Sequence, residues 1–378
     1  MRHQHIALMA GLLLSCVACG QSQNTPQTSC PDGQIQDPNT QECKIAPQVD
    51  ATLDLGEPVD SKSDEAFDEV SVQDERVDVQ DDAVEDVAAD EPPPVVEVRR
   101  FVALGDTGTG SAMQLKVGQA IGTACTQLGG CDFALLLGDN AYNSGMDSAD
   151  DPRFVEFFEN PYGHLGFPFY AVLGNHDLGG GGAGVSLDQK KADYQIEYSQ
   201  RNAQWRMPSR HYKVVEGPVW MVGLNTTNVF FGRDDAQRVD VQTWLNGAPT
   251  TGWKIAFGHH PYLSNGRHGN AGNYEGLPFV PIVNGEHVAS FMEDIVCGNF
   301  DLYLCGHDHN VQDLQATCGT EFIVSGAGAK TTDLKGSNPV HYESDEPGFV
   351  ILEASATIMT LRFYDQDATL QHTRTLTK

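Results

Sequence analysis

Residues 100–106 read RFVALGD, an apolar run that ends in a glycine and a carboxylate. The same arrangement returns four times: residues 133–139 read FALLLGD, 167–175 read FPFYAVLGN, 253–259 read WKIAFGH and 302–307 read LYLCGH. A continuous apolar run of this kind is typical of a strand buried on both faces of a sheet. Since ligands bind beyond the carboxyl ends of parallel strands, the five polar residues that end these runs are predicted to share one site.

Helical and strand-like segments alternate around these runs. Residues 111–127 carry apolar side chains at helical spacing, and further helices are predicted over 152–159, 234–246 and 286–296. The end of the chain, from 311 to 377, consists mainly of strand-like segments joined by turns. This order predicts an α/β fold, a two-sheet β-sandwich flanked by helices, rather than a Rossmann fold.

The first residues resemble an export signal rather than a part of the fold. Residues 6–14 are apolar but too few for a transmembrane helix, so 1–19 is predicted to be a lipoprotein-type signal peptide. The sequence LLS before Cys16 resembles a lipobox, Cys19 is the second choice for lipidation, and an ordinary cleaved signal is the alternative. The chain is therefore predicted to be exported, as a lipoprotein of the bacterial outer membrane or cell surface, or as a periplasmic or secreted protein.

An acidic stretch follows the signal. Residues 50–97 hold 18 Asp or Glu against two basic residues, a net of 2 − 18 = −16 out of −29 for the whole chain. Such a segment cannot bury enough apolar surface to offset its loss of conformational entropy on ordering. The sequence predicts an acidic disordered tether over 20–98, with a small disulfide loop between Cys30 and Cys43.

Residues 99–378 are predicted to form one catalytic domain, because about 280 residues suffice for a substantial core. The acidity of the chain argues against nucleic acid as a partner. Contact with a membrane is expected only through the N-terminal lipid anchor, and a monomer is the expected oligomeric state.

The cysteines of this domain allow disulfides, since an exported chain meets an oxidising compartment. Cys125 and Cys131 lie six residues apart around a Gly-Gly pair and can close a loop. Cys297 and Cys318 are a second candidate pair on either side of the last glycine-histidine motif. Cys305 lies within an apolar run and is predicted to be a buried thiol.

The polar residues after the five runs form a set of metal ligands. Glycine before each of them lets the backbone turn sharply and approach the site closely. Oxygen and nitrogen donors of these types suit iron, zinc or manganese. The donors are Asp106, Asp139, Asn175, His259, His307 and His309. They exceed the needs of one metal, which indicates two ions and a hydrolytic reaction. Asp139 can bridge two ions through its two oxygens, and His307 and His309 are expected to diverge to separate metals.

The order GDTG, GDNAY, GNHD, GHHP and GHDH resembles the calcineurin-like metallophosphoesterase superfamily. Within it, the spacing GDNAY, which places Tyr142 three residues after a carboxylate, is similar to that of the purple acid phosphatases. Residues 302–310 (LYLCGHDHN), 325–328 (SGAG) and 205–209 (WRMPS) are similar to the small, mammalian-type (tartrate-resistant) branch. The resemblance covers about 99–370, almost the whole predicted domain.

The resemblance implies a ferric site and a divalent site for iron, zinc or manganese, which share Asp139 as a bridging ligand. The other ligands of the ferric site would be Asp106, Tyr142 and His309. The other ligands of the divalent site would be Asn175, His259 and His307. The implied reaction is the in-line attack of a hydroxide held on the two ions at the phosphorus of a phosphomonoester.

The resemblance also implies residues that act on the substrate. As imidazolium, His176 and His268 would donate a proton to the leaving group or stabilise the phosphoryl oxygens, beside the catalytic Asp139. The predicted substrate-binding residues are Asn175, His176, His268 and His260. For His260 itself, the sequence leaves open a role facing the substrate, a role supporting a neighbouring metal ligand, and a position facing solvent.

Asp177 and Asp308 also lie inside the motifs. For both carboxylates, hydrogen bonds to neighbouring histidines are predicted in place of metal ligation.

The predicted function is that of an acid phosphatase which hydrolyses small phosphomonoesters at a dinuclear Fe(III)–M(II) centre. One alternative is a phosphodiesterase or nucleotidase that uses manganese or zinc on the same fold, although Tyr142 argues against it. A second alternative is a non-catalytic surface lipoprotein that binds phosphate. The complete set of ligands argues against this last reading.

Overall fold

The computed structural model describes residues 34–36, 43–45, 97–180, 186–281 and 283–378. The predicted signal peptide over 1–19, Cys30 of the predicted Cys30–Cys43 disulfide and most of the predicted tether over 20–98 lie outside these described residues. Within the predicted tether, two short strands are described, β1 (Gln34–Gln36) and β2 (Cys43–Ile45). They pair antiparallel, although the sequence predicts a disordered segment.

The domain contains two seven-stranded mixed sheets within its described residues. The first sheet joins four parallel strands from the front of the domain to three antiparallel strands from its end. In spatial order its strands are β16 (Leu370–Thr377), β15 (Ile358–Asp365), β14 (Gly348–Ala354), β3 (Arg99–Leu104), β4 (Phe133–Leu136), β5 (Phe169–Ala171) and β6 (Trp205–Arg206). Strands β3 to β6 are the parallel set, so their carboxyl ends lie along one edge of this sheet.

The second sheet has a similar plan, with a parallel centre and antiparallel edges. In spatial order its strands are β13 (Val340–Ser344), β11 (Val311–Leu314), β12 (Glu321–Ser325), β10 (Leu302–Cys305), β9 (Trp253–Phe257), β8 (Val219–Gly223) and β7 (Tyr212–Glu216). Strands β8, β9, β10 and β12 run parallel.

Helices cover the outer faces of the two sheets. They are α1 (Ala112–Gln127), α2 (Asn160–Tyr162), α3 (Gln189–Tyr198), α4 (Thr226–Phe230), α5 (Asp235–Asn246) and α6 (Glu286–Phe291). Two π-helical turns, Val155–Glu159 and Met292–Val296, lead into α2 and continue α6. Among the described residues, no helix has the length and apolar character that crossing a membrane requires.

The apolar run of β3 is buried on both faces, as the sequence predicts. Phe101 belongs to the core between the two sheets, where it stacks on Phe133 of β4 with ring centroids 4.7 Å apart. Val102 and Leu104 belong to the core between this sheet and α1. Burying each such side chain stabilises the fold by roughly 1.5–3 kcal/mol. A third core lies between the second sheet and α4 to α6, so the predicted two-sheet sandwich flanked by helices is confirmed.

Helix α1 shows how closely local sequence determines an element. Ser111 caps the helix, because its side chain accepts a hydrogen bond from the backbone N–H of Gln114 at 3.2 Å. The buried face includes Val117, Ile121 and Cys125, the positions at helical spacing in the sequence.

The predicted helices over 111–127, 152–159, 234–246 and 286–296 are present, and each of the five apolar runs contains a strand. The prediction missed α3, α4, β6 and β13. Helix α3 buries only three of its ten residues, and β13 is an edge strand with no fully buried residue, so neither carries a strong apolar pattern. Strand β6 has two residues and α4 has five, too few for a periodic signal.

The predicted cysteine pairs are also present. Cys125 is bonded to Cys131 and Cys297 to Cys318, each with Cα atoms 5.3 Å apart. Cys305 is a buried free thiol, as predicted.

A buried ion pair ties the end of the chain to the second sheet. The Arg374 guanidinium on β16 donates to both carboxylate oxygens of Asp313 on β11, at 2.8 and 2.6 Å, and to Glu321 on β12 at 2.9 Å. The Asp313 side chain is fully buried. Burial raises the pKa of Asp313, and the hydrogen bonds from Arg374 oppose this rise.

Replacing Arg374 with methionine should lower the free energy of unfolding by about 3–5 kcal/mol at pH 7, because it leaves the Asp313 charge buried without its partner. In Arg374→Met, the pKa of Asp313 in the folded state should rise further, because the guanidinium that opposes the effect of burial is absent. A group with a raised folded pKa stabilises the fold below its unfolded pKa and loses that contribution as pH rises through the folded value. The deficit should therefore shrink on acidification toward pH 4. Urea unfolding of the natural protein and the variant at pH 7 and at pH 4 measures this deficit.

The double variant Arg374→Met, Asp313→Asn is the control, since it removes the orphaned charge. It should regain much of the lost stability at pH 7. Equal deficits at pH 7 and pH 4 in the single variant would show that the ion pair contributes only through packing.

Candidate active site

The five motif residues lie at the carboxyl ends of parallel strands in both sheets. Asp106 follows β3, Asp139 follows β4 and Asn175 follows β5 in the first sheet. His259 follows β9 and His307 follows β10 in the second. Because the sheets face each other across one core, these ends converge on one place. The structure thus brings together the residues that the sequence predicts to share a site.

Three motif residues have a left-handed backbone that side chains rarely adopt. The φ angles are 59° at Asp106, 54° at Asp139 and 70° at His307. Strained backbone of this kind persists where the surrounding structure holds it, and it clusters at functional sites. The position that packs against Asp139 requires glycine, because a Cβ on Gly174 would lie 2.2 Å from the Asp139 carboxylate. The predicted role of glycine in close backbone approach is confirmed at this position.

One set of donors, here called the tyrosine group, consists of Asp106, Tyr142 and His309. The Tyr142 hydroxyl donates to Asp106 Oδ1 at 2.9 Å and lies 3.3 Å from His309 Nε2. His309 Nε2 is 3.4 Å from the same Asp106 oxygen. The three donor atoms therefore point at one small volume.

A second set, the histidine group, consists of Asn175, His259 and His307. His259 Nε2 lies 2.9 Å from Asn175 Oδ1 and 3.1 Å from His307 Nδ1. His259 Nδ1 lies 2.9 Å from the Leu137 carbonyl oxygen and donates to it, which directs Nε2 toward the other donors of the group. His307 and His309 thus belong to different groups, as the sequence predicts.

Asp139 lies between the two groups. Its Oδ1 is 3.5 Å from His259 Nε2 in the histidine group, and its charge acts on the Tyr142 phenol in the tyrosine group. Donor atoms of Asp106, Asp139 and His259 all lie within 4.8 Å of one another, a cluster able to hold a metal ion. Asp139 is therefore close to donors of both groups.

The donor set fits a pair of metal ions. Within each group the donor atoms lie about as far apart as two ligands of one metal ion, when each metal–ligand bond is roughly 2.0–2.2 Å long. Carboxylate, phenol, amide and imidazole donors suit iron, zinc or manganese. Burial, followed by the electrostatic influence of the surrounding histidines, holds the pKa of His307 well below its usual range. His307 is therefore neutral, the state in which imidazole binds a metal.

The carboxylate and the phenol of the tyrosine group respond to burial in different ways. Burial alone would raise the pKa of Asp106, but hydrogen bonding with His309 and the charge of His259 lower it from 3.8 to about 2. Burial, followed by the charges of Asp106 and Asp139, raises the pKa of Tyr142 well above 10.0. A bound cation reverses such a shift by favouring the phenolate.

The two predicted proton donors stand at the rim of the donor cluster. His176 Nδ1 lies 3.0 Å from the Asn143 carbonyl oxygen, and its Nε2 is 3.9 Å from Asp139 Oδ2. His268 stacks on His307 with ring centroids 4.1 Å apart. The Nδ1 atom of His268 contacts the Glu275 carboxylate.

The solvent-facing interpretation of His260 is wrong. The residue is buried, its Nδ1 lies 3.1 Å from Thr226 Oγ1, and its ring stacks on Phe230. Burial and the positive charge of His259 hold the pKa of His260 well below its usual range. His260 contributes to the cavity wall, and its predicted role in substrate binding stays a prediction.

The predicted hydrogen bonds from Asp177 and Asp308 to histidine side chains are not what the structure shows. Asp177 accepts the backbone N–H groups of Gly174 at 2.7 Å and Ala141 at 3.0 Å. Burial, then the Asp139 charge, raises the pKa of Asp177 to about 7. Asp308 accepts the backbone N–H of His268 at 2.8 Å. Both carboxylates fix loops instead, because turns after strand ends leave backbone amides without partners.

A cavity of about 430 Å³ opens onto the donor cluster. Its lining includes predicted residues and others that sequence reasoning missed. The missed residues are Asn143, Phe230, Phe231, Arg267, Tyr274, Glu275, Val283 and Lys330. The one available signal for Lys330 was its place two residues after the SGAG segment. Burial lowers the pKa of Lys330, and the nearby Asp106 and Asp139 charges oppose this shift.

The chain is similar in sequence to proteins that are named acid phosphatases. The human protein named Tartrate-resistant acid phosphatase type 5 is 28% identical over 305 residues, covering 70% of this chain and 87% of the human protein. Purple acid phosphatase 3 of Arabidopsis thaliana is 28% identical over 295 residues, covering 70% of this chain and 74% of the plant protein.

Solved structures share the fold. The structure described as GAP50, the anchor in the inner membrane complex of Plasmodium, aligns with a TM-score of 0.59 at 19% identity, over 74% of this chain and 89% of that one. The purple acid phosphatase PPD1 from yellow lupin seeds aligns with a TM-score of 0.56 at 16% identity, over 75% of this chain and 54% of that one.

The family model described as Calcineurin-like phosphoesterase matches residues 99–311, from the first strand of the domain to the last histidine motif. The match covers more than half of the 378 residues and contains the tyrosine group, the histidine group and Asp139. The strand ends, the donor clusters and this match all agree, and the chain belongs to the calcineurin-like phosphoesterase family.

Proposed function

We propose that the protein hydrolyses small phosphomonoesters at a dinuclear Fe(III)–M(II) centre, where M is iron, zinc or manganese. The family makes the chain a phosphoester hydrolase, and the similar human and plant proteins are named acid phosphatases. The observation that carries the proposal is the convergence of two donor groups on Asp139, with the Tyr142 phenol in one of them.

Each donor group would supply the ligands of one ion. The ferric ion would be held by Asp106, Tyr142 and His309, since a phenolate is a hard, anionic donor that suits Fe(III). The divalent ion would be held by Asn175, His259 and His307. Asp139 would serve both ions through its two carboxylate oxygens.

The bound metals would supply a nucleophile at low pH by lowering the pKa of water, and they would neutralise charge on the phosphoryl group. His176 and His268 would stabilise the phosphoryl oxygens and protonate the leaving oxygen. The orientation of His176 supports this role. Its Nδ1–H donates to the Asn143 carbonyl, so its Nε2 faces Asp139 and the cavity. The Glu275 carboxylate contacts His268 Nδ1 and so orients its ring at the cavity.

Turnover of two chromogenic esters tests the proposed reaction. The purified full chain should hydrolyse 4-nitrophenyl phosphate much faster than bis(4-nitrophenyl) phosphate. Preference for the diester would favour the phosphodiesterase alternative. A fully metallated protein that hydrolyses neither ester, nor any of a panel of phosphomonoesters, would favour a phosphate-binding module and overturn the proposal.

The location of the protein is also a proposal. We infer that the chain is exported, with the signal over 1–19 leading to a lipoprotein or a secreted form. The two disulfides of the domain support this inference, because such bonds persist mainly in oxidising compartments. Labelling with radioactive palmitate, compared between the natural chain and a Cys16→Ala variant, separates lipidation at Cys16 from other routes.

A further inference from the structure

Lys330 places a positive charge at the wall of the active-site cavity. Its Nζ lies 3.2 Å from the centroid of the Tyr142 ring. Within the part of the chain that the structure describes, no carboxylate oxygen lies within 4.0 Å of this ammonium group. The other side chains that line the same cavity include Asn175, His176 and His309.

The chain fixes the backbone around Lys330 on both sides. The N–H of Gly328 donates to the Gly105 carbonyl at 3.2 Å, and the N–H of Thr332 donates to the His309 carbonyl at 2.9 Å. A Cβ on Gly328 would lie 2.7 Å from the Gly105 oxygen, so only glycine permits this approach. Lys330 is thus anchored between the ends of two motif loops, and its flexible stem extends toward the donors.

The charges around the cavity favour the binding of an anion. The face of an aromatic ring compensates only part of the cost of removing an ammonium group from water. Asp106 and Asp139 are the carboxylates whose charges act on Lys330, and both belong to the proposed metal ligands. Once cations neutralise these carboxylates, Lys330 has no anionic partner of its own among the described residues.

We propose that Lys330 is a substrate-binding residue that donates a hydrogen bond to the phosphoryl group of the ester, in addition to the metal ligands and the two histidines. The inference rests on the proposed function, since it places the phosphoryl group beside the Asp139 centre. The Tyr142 ring holds the ammonium group near this position when no anion is bound. Lysine is a frequent partner of phosphate in proteins, where it acts as a compact point charge.

The test compares Lys330→Met with Lys335→Met, which removes an exposed lysine from the same segment. Two quantities are measured: kcat and KM for 4-nitrophenyl phosphate, and the equilibrium dissociation constant of inorganic phosphate. A hydrogen bond to a charged group predicts a rise of about tenfold to a hundredfold in KM and in the phosphate constant for Lys330→Met. Its kcat should change less, and Lys335→Met should match the natural protein. Lys330→Arg should restore much of the phosphate binding.

The outcomes separate the two claims. If Lys330→Met keeps the natural KM and phosphate constant while the natural protein hydrolyses the ester, the role of Lys330 is overturned and the proposed function stands. If phosphate binding weakens in Lys330→Met but no protein hydrolyses any phosphomonoester, the proposed function fails and the role of Lys330 stands. A natural protein that binds no phosphate would overturn the inference. Equal melting temperatures of the variants would show that the fold is intact.

Discussion

Replacing Asp139 with asparagine should reduce the turnover of 4-nitrophenyl phosphate on the order of a thousandfold. Asparagine keeps the shape of the side chain but loses the charge and one of the two carboxylate oxygens. Asp139 is the residue that both donor groups share, with its Oδ1 3.5 Å from His259 Nε2. Its loss should therefore weaken both metal sites together, which no other single substitution in the cluster does.

The same substitution also affects a hydrogen bond. Asp139 Oδ1 accepts the backbone N–H of His176 at 2.9 Å, a bond that asparagine can keep through its amide oxygen. The effect on activity should thus come from the metals rather than from a displaced loop. Asp150→Asn, at an exposed carboxylate, is the matched control and should keep full activity. An Asp139→Asn protein that holds two metals and retains a tenth of natural turnover would contradict the bridging role.

Replacing Tyr142 with phenylalanine should remove the visible absorption of the iron-loaded protein. A phenolate bound to ferric iron gives a charge-transfer band, and phenylalanine keeps the ring but lacks the oxygen. The ring contacts with Lys330 and His176 can remain, so the fold of the cavity should be preserved. The lost contacts are those of the hydroxyl with Asp106 at 2.9 Å and with His309 at 3.3 Å.

A second tyrosine provides the control for the spectrum. Tyr162 is fully buried in the core beside α1, its hydroxyl lies 3.4 Å from the Gln114 amide nitrogen, and it belongs to neither donor group. Tyr162→Phe should keep the visible band. If Tyr142→Phe kept it as well, the colour would come from another ligand and the tyrosine group would lose its assigned role.

The fold and the donor cluster could be predicted because both depend on short-range sequence patterns. Apolar runs such as 133–137 specify strands that are buried on both faces, and a glycine with a polar residue marks each strand end. Parallel strands bring such ends to one edge whatever the length of the intervening chain. The two sheets pack face to face across one core, so the edges meet as well. Asp106 of the first sheet and His307 of the second, 201 residues apart, are joined by a 2.8 Å hydrogen bond between the His307 N–H and the Asp106 carboxylate.

The cavity wall could not be predicted in the same way. Lys330 and Glu275 come from loops, where no periodic pattern indicates the direction of a side chain. The partner of His260 is Thr226, which lies 34 residues away at the start of α4. The sequence gives no indication of that contact, so it could not decide between solvent and the cavity for His260.

The hydrogen-bond partners of Asp177 and Asp308 could not be predicted from the sequence either. Asp177 and Asp308 lie beside histidines in the sequence, which favoured hydrogen bonds between those neighbours. In the structure, the backbone N–H groups of Ala141 and His268, rather than imidazoles, donate to the two carboxylates. Adjacency along the chain therefore identified the right residues but not their partners.

Metal analysis combined with a visible spectrum of the purified full chain tests the dinuclear iron centre most directly. The proposed ligand set requires two metal ions per chain, of which at least one is iron, and a visible band that disappears in Tyr142→Phe. A colourless protein that holds two zinc or two manganese ions would contradict the iron centre. A protein that holds one ion, or none, would contradict the assignment of two metal sites around Asp139.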